Sequence, residues 1–183
     1  MASSKKSKLG RTLFGISLTL LFGWLIVLIG SRKSAPAGAP PAPPLTTGTT
    51  PANSPVDTIF NSLTTAGYSS DMARYLVAVS KFETGNFTSE LYRNANNLFG
   101  MGVPTVRRSL KSGIYYATDA GNRRAFSAYR SWKDSSDDFV LYLQAFSYPC
   151  TFTSPGELVA FMKSKGYFEL STASYLAGVN RYL

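Results

Sequence analysis

Histidine is absent from all 183 residues. Without imidazole, neither a Ser–His nor a Cys–His nucleophile can be assembled, and a zinc hydrolase would lack its usual nitrogen ligands. Cysteine is almost absent too: Cys150 stands alone, so no disulfide can close within the chain. Acids are scarce, ten in total, with none before Asp57. The chemistry left open is that of carboxylates, tyrosine hydroxyls and backbone dipoles, and neither a metal nor a cofactor is expected.

What the chain does have is unevenly distributed. Residues 12–30 form a run of 19 without a charge, close to the roughly 20 needed to cross a bilayer as a helix. Lys5, Lys6, Lys8 and Arg11 precede it, and only Arg32 and Lys33 follow closely. That bias predicts a basic cytoplasmic tail over 1–11, a transmembrane helix over 12–30, and everything later on the outer side of the membrane. A cleaved secretory signal is the competing reading, because Ala35, Ala37 and Ala39 follow, although its apolar core usually spans only about 7–15 residues. Either reading exports the rest of the chain, and the first makes the lipid bilayer a partner.

Residues 31–55 hold seven of the ten prolines and read as a linker, on the order of 75 Å long if extended at about 3.1 Å per residue. Residues 56–183 are long enough for one domain with its own core. The net charge of +9 shrinks to +3 on this exported part, since six of the 19 basic residues lie within the first 33 positions. The high pI therefore reports the membrane flanks, and no nucleic-acid partner is expected. A mild positive balance suits an anionic polymer such as a bacterial wall.

Within the domain, helical spacing dominates. Val56, Ile59, Phe60 and Leu63 predict a short first helix ending near Gly67. A second follows through Met72, Tyr75, Leu76, Val79 and Phe82, capped by Ser69 or Ser70, and Gly85 suits the left-handed position that ends it. Thr88 or Ser89 caps a short third helix. Ser135 with Asp138 reads as a capping box before Phe139, and Ser154-Pro155-Gly156-Glu157 as a stronger one. Thr172 is expected to cap the last helix. Between Gly102 and Tyr129 the helical period vanishes, and two strands flank a turn at Asp119-Ala120-Gly121-Asn122. The fold class is α+β.

Glu83 falls eleven residues past Met72, roughly 20° off the same apolar stripe at about 100° per residue. A carboxyl on a core-facing position is costly to ionise, so its proton should remain available near neutral pH. The competing reading is a surface glutamate on a fraying last turn. Asn96-Asn97-Leu98-Phe99-Gly100 reads as a turn whose amides hold backbone while Leu98 and Phe99 are buried.

The order Glu83-Thr84-Gly85, then Asn96-Asn97-Leu98-Phe99-Gly100, then Ala125-Phe126-Ser127-Ala128-Tyr129-Arg130-Ser131 with Asp137-Asp138-Phe139, resembles the bacterial β-N-acetylglucosaminidases of glycoside hydrolase family 73. The tail Lys165-Gly166-Tyr167 with Ala173-Ser174-Tyr175 is similar to that family's closing motif, with extra residues between the tyrosines. The resemblance spans roughly Asp71 to Tyr182. It implies a lysozyme-like fold, a helical lobe facing a small β-lobe across a glycan strand. It also implies peptidoglycan as substrate, cut at the β-1,4 bond after N-acetylglucosamine, with Glu83 as the catalytic acid.

One departure stands out. The family often carries a second carboxylate in the β-lobe, and here the only acid between Gly102 and Tyr129 is Asp119, in the expected turn. Asp119 reads first as an ordinary turn aspartate and second as a candidate base; if it is idle, substrate assistance, or a water held by Tyr167, would be required. Candidate substrate contacts are Asn96, Asn97, Phe99, Tyr116 and Tyr129, each also readable as structural. Arg107, Arg108, Lys111, Arg123 and Arg124 surround the hairpin, either to meet stem-peptide carboxylates or to keep the lobe soluble. A lytic transglycosylase of the same fold and an inactive glycan-binding module are the rival functions.

Overall fold

The structure, a computed structural model, describes residues 54–119 and 122–183. The transmembrane helix expected over 12–30 and nearly all of the linker lie outside the described residues. The two linker residues that are described, Ser54 and Pro55, already belong to the domain. Ser54 caps α1 (Pro55–Thr65) through a reciprocal capping box with Asp57, with proline at the first helical position, where its missing N–H costs nothing.

Five further helices follow, α2 (Ser70–Glu83), α3 (Glu90–Ala95), α4 (Trp132–Ala145), α5 (Pro155–Ser164) and α6 (Thr172–Val179), with a closing 3-10 turn over Asn180–Tyr182. Between α3 and α4 lies one antiparallel hairpin, β1 (Gly113–Asp119) and β2 (Asn122–Ala128). This is an α+β arrangement, as the loss of helical period suggested. Each strand runs seven residues, and Asp119 pairs with Asn122. The expected four-residue turn is thus shorter than read, because its outer two residues continue the ladder.

Helix α2 is the central element. Met72, Ala73, Leu76, Val77, Ala78, Val79 and Ser80 are all buried, and α1, α5 and α6 pack around it. The segment after α3 threads between α2 and α4. Leu98 is gripped from both sides: its carbonyl accepts from the Ser80 hydroxyl at 2.6 Å, and its N–H donates to Ser135 Oγ at 3.0 Å. Phe99 stacks on Phe139 with ring centroids 3.7 Å apart. Beyond it the chain lies along β2, with Gly102 bridging to Phe126 and the Ser127 N–H donating to the Met101 carbonyl. The hairpin is thereby fixed to the segment that carries Gly100.

Four helix starts differ from, or narrow, the sequence expectation, the cap of α3 resolving to Ser89. Helix α4 begins at Trp132 and is capped by Ser131, whose side chain accepts from the Asp134 N–H. The expected capping pair Ser135 and Asp138 sits one turn inside the helix, fully buried. There Asp138 takes a different partner. The Arg107 guanidinium meets it in a two-pronged ion pair at 3.1 and 2.8 Å, with the Leu110 N–H and the Tyr129 hydroxyl also donating. Burial alone would raise the Asp138 pKa, but these donors outweigh it and hold the carboxyl below its ordinary value. Helix α6 is capped by Ser171, one residue before Thr172, and the choice for α2 resolves to Ser69.

Candidate active site

Glu83 is the last residue of α2. The helix stops there because Thr84 closes it and Gly85, Asn86 and Phe87 all turn left-handed, with φ of 58°, 57° and 63°. The Thr84 hydroxyl donates back to the Ser80 carbonyl and accepts the Phe87 N–H, locking this reversal. The Glu83 residue is only 9 % exposed. Its Oε1 accepts a hydrogen bond from the Tyr175 hydroxyl. Its Oε2 lies against Gly100, where φ is +61° and an added Cβ would stand 3.3 Å from that oxygen. Burial pushes the Glu83 pKa up from 4.5 to about 7, partly opposed by the Tyr175 hydrogen bond.

Tyr175 is held by the rings around it. Phe168 stacks on it at 3.7 Å and Phe82 meets it edge-on at 5.0 Å. Phe82 in turn presses on Gly178, where a Cβ would fall 2.3 Å from a ring carbon. Burial first, and then the charge of Glu83, keeps the Tyr175 hydroxyl protonated well above the ordinary tyrosine range. Tyr175 is therefore a permanent donor to the acid. Local sequence pattern assigns Tyr175 only to the last helix and the closing motif, and Gly100 only to a turn.

The other residues singled out in the sequence separate into distinct places. Tyr167 is buried and its hydroxyl donates to the Phe99 carbonyl at 2.9 Å. Asn97 is fully buried, and its amide spans four backbone groups: Nδ2 donates to the Met101 and Ser127 carbonyls, while Oδ1 accepts from the Phe99 and Met101 N–H groups. Those bonds leave Asn97 nothing to offer a sugar; it shapes the turn that presents Gly100. The ring of Phe99 belongs to the core and the Tyr129 hydroxyl to Asp138. Asn96, left-handed at φ 50°, donates to the Tyr129 carbonyl at 3.0 Å. Tyr116 stands apart on the outer hairpin face, 51 % exposed, with the Arg123 guanidinium 4.2 Å from its ring centre. Asp119 is placed at the end of β1.

An acid that keeps its proton near pH 7 can hand it to a departing oxygen, the opening step of glycosidic bond cleavage. A buried carboxyl of this kind is the group that acid-assisted glycoside cleavage requires. Residues 65–182 match the Glucosaminidase family model, described as mannosyl-glycoprotein endo-beta-N-acetylglucosaminidase, and the chain belongs to that family, a glycoside hydrolase acting on peptidoglycan. Among curated proteins and among solved structures, none matches the chain significantly.

Proposed function

We propose that Glu83 is the general acid in cleavage of the β-1,4 bond after N-acetylglucosamine, within a lysozyme-like arrangement of helical lobe and hairpin. The reading rests on one observation: a buried carboxyl with a pKa of about 7, aligned by Tyr175 and with its second oxygen set against Gly100. Glu83 gives its proton to the glycosidic oxygen as the C1–O bond breaks. The electron deficiency at C1 is met either by the carbonyl oxygen of the sugar's own 2-acetamido group or by a water activated at Asp119. Where the acetamido group attacks, water then opens the resulting ring and returns a proton to Glu83.

The same reading places the domain outside the cytoplasmic membrane of a bacterium, or an analogous phage-derived one. Residues 12–30 serve as its anchor and 31–55 as its tether. The uncharged run over 12–30 and the four basic residues before it against two after it support that reading.

Digestion of purified sacculi with the full chain tests the chemistry. Reducing N-acetylglucosamine ends are expected, with a rate loss of about 10²–10⁴-fold in Glu83→Gln, the usual worth of a general acid. Anhydro-muramic ends without reducing glucosamine ends would mean transglycosylation instead. Full activity in Glu83→Gln would remove Glu83 from the mechanism. Asp119→Asn separates the two routes to C1: unchanged turnover leaves substrate assistance, and a loss comparable to Glu83→Gln assigns the base.

A further inference from the structure

The charges of the described domain are segregated. Residues 103–128 hold Arg107, Arg108, Lys111, Arg123 and Arg124 against the single acid Asp119, whereas the remaining residues from 54 onward carry eight basic and nine acidic side chains. Arg107 is spent internally on Asp138. Arg123 is not: it is exposed, has no ion pair among the described residues, and lies over the Tyr116 ring. By contrast, Arg74, Arg130 and Lys133 outside this lobe each pair with an aspartate three or four residues away.

The hairpin register explains why this cation is presented outward. Tyr116 opposes Ala125, Ile114 opposes Ser127 and Thr118 opposes Arg123, so Ile114, Tyr116 and Arg123 share one face. The opposite face is occupied, since the Tyr115 hydroxyl accepts from Asn94 of α3 and Phe126 is buried. Ile114 and Tyr116 remain 46 % and 51 % exposed. The outer face is therefore an apolar rail ending in a guanidinium with no ion-pair partner among the described residues. A guanidinium resting on an aromatic ring is oriented, and its N–H edge stays free to accept a carboxylate in a two-pronged bond.

We infer that this face is a specificity site for the peptide branches of peptidoglycan, with Arg123 receiving a branch carboxylate and Ile114 and Tyr116 packing on the branch's apolar side chains. The inference rests on the proposed glycan-cleaving function and adds to it which part of the substrate the β-lobe reads. Charge complementarity selects the occupant, because the glycan ring bound at Glu83 is uncharged where it is cut while the branches are anionic.

Full-length protein is assayed on two substrates, peptide-bearing glycan strands and the same strands stripped of peptide by an amidase. For Arg123→Ala, KM on peptide-bearing strands should rise about tenfold with kcat unchanged, as for loss of one hydrogen-bonded charge. On stripped strands its KM should stay within about twofold of wild type. Arg123→Lys should recover only part of the loss, since an ammonium cannot form the fork. Equal KM values for wild type and Arg123→Ala on peptide-bearing strands would overturn the inference. So would an equal loss on both substrates, which would signal general glycan or polyanion affinity.

Binding by Glu83→Gln protein separates this result from a failure of the catalytic reading. Tighter retention on peptide-bearing strands, abolished by adding Arg123→Ala, upholds the branch site even if no bond is cut. Equal retention on both strands, or stronger retention on anionic phospholipid vesicles than on either, refutes it.

Discussion

At the residue scale, the central group is a glutamate that the fold destabilises as an anion. The same burial that raises the Glu83 pKa makes stability depend on pH. Below pH 4.5 folded and unfolded chains both hold the proton, and no penalty applies. Between 4.5 and about 7 only the folded state keeps it, so stability falls as pH rises, by roughly 3 kcal/mol in all. Glu83→Gln should therefore be more stable than wild type by up to about 3 kcal/mol at pH 8 and indistinguishable at pH 4, measured by urea unfolding. Activity should decline on the alkaline side as Glu83 ionises near pH 7. Tyr175→Phe removes a bond that favours the carboxylate, so its alkaline limb should move to higher pH; a downward move would contradict the assigned direction.

Gly100 belongs to the same scale. Alanine there would have to hold φ at +61° and crowd Oε2 at 3.3 Å. Gly100→Ala should cost about 1–2 kcal/mol of stability from the backbone alone and lower kcat further by displacing the carboxyl. Stability near wild type with unaltered kcat would show that the contact is slack.

At the element scale, what could be read in advance follows from how local each signal is. Helices α1, α2, α3 and α5 were legible because their apolar spacing and caps are written within a dozen residues. The start of α4 was ambiguous for a physical reason: Ser131–Asp134 and Ser135–Asp138 offer the same serine-and-acid spacing one turn apart. Only the distant Arg107 claims Asp138 for the interior, and a contact across 31 residues leaves no mark on local pattern. Glu83 was legible as a core-facing acid, but its partner Tyr175 lies 92 residues away. The turn sequence alone suggests that Asn97 holds backbone, yet its complete enclosure depends on β2, which a single turn cannot reveal. The Arg107–Asp138 pair also yields a prediction. Asp138→Ala leaves a buried guanidinium without its partner and should cost about 3–5 kcal/mol, detaching the 103–112 segment from α4. A loss below about 1 kcal/mol in chemical denaturation would mean the pair contributes little.

At the scale of the whole molecule, two opposing titrations frame the stable range. Asp138 has a depressed pKa, so its contribution is present above the ordinary aspartate value of 3.8 and disappears as pH falls through the lower folded value. Glu83 removes stability as pH rises toward 7. Thermal unfolding should therefore show its highest midpoint at mildly acidic pH, with Asp138→Asn blunting the acid side and Glu83→Gln the neutral side. The proposed topology is tested separately: protease added to intact spheroplasts should remove the domain from residue 54 onward, and full protection would contradict external placement.

The most direct measurement is the titration of the Glu83 side chain by carbon-13 carboxyl NMR, identified by its loss in Glu83→Gln. The account predicts a midpoint of about 7. A midpoint at the ordinary glutamate value of 4.5 would contradict it, because the side chain would then reach neutral pH with no proton to give.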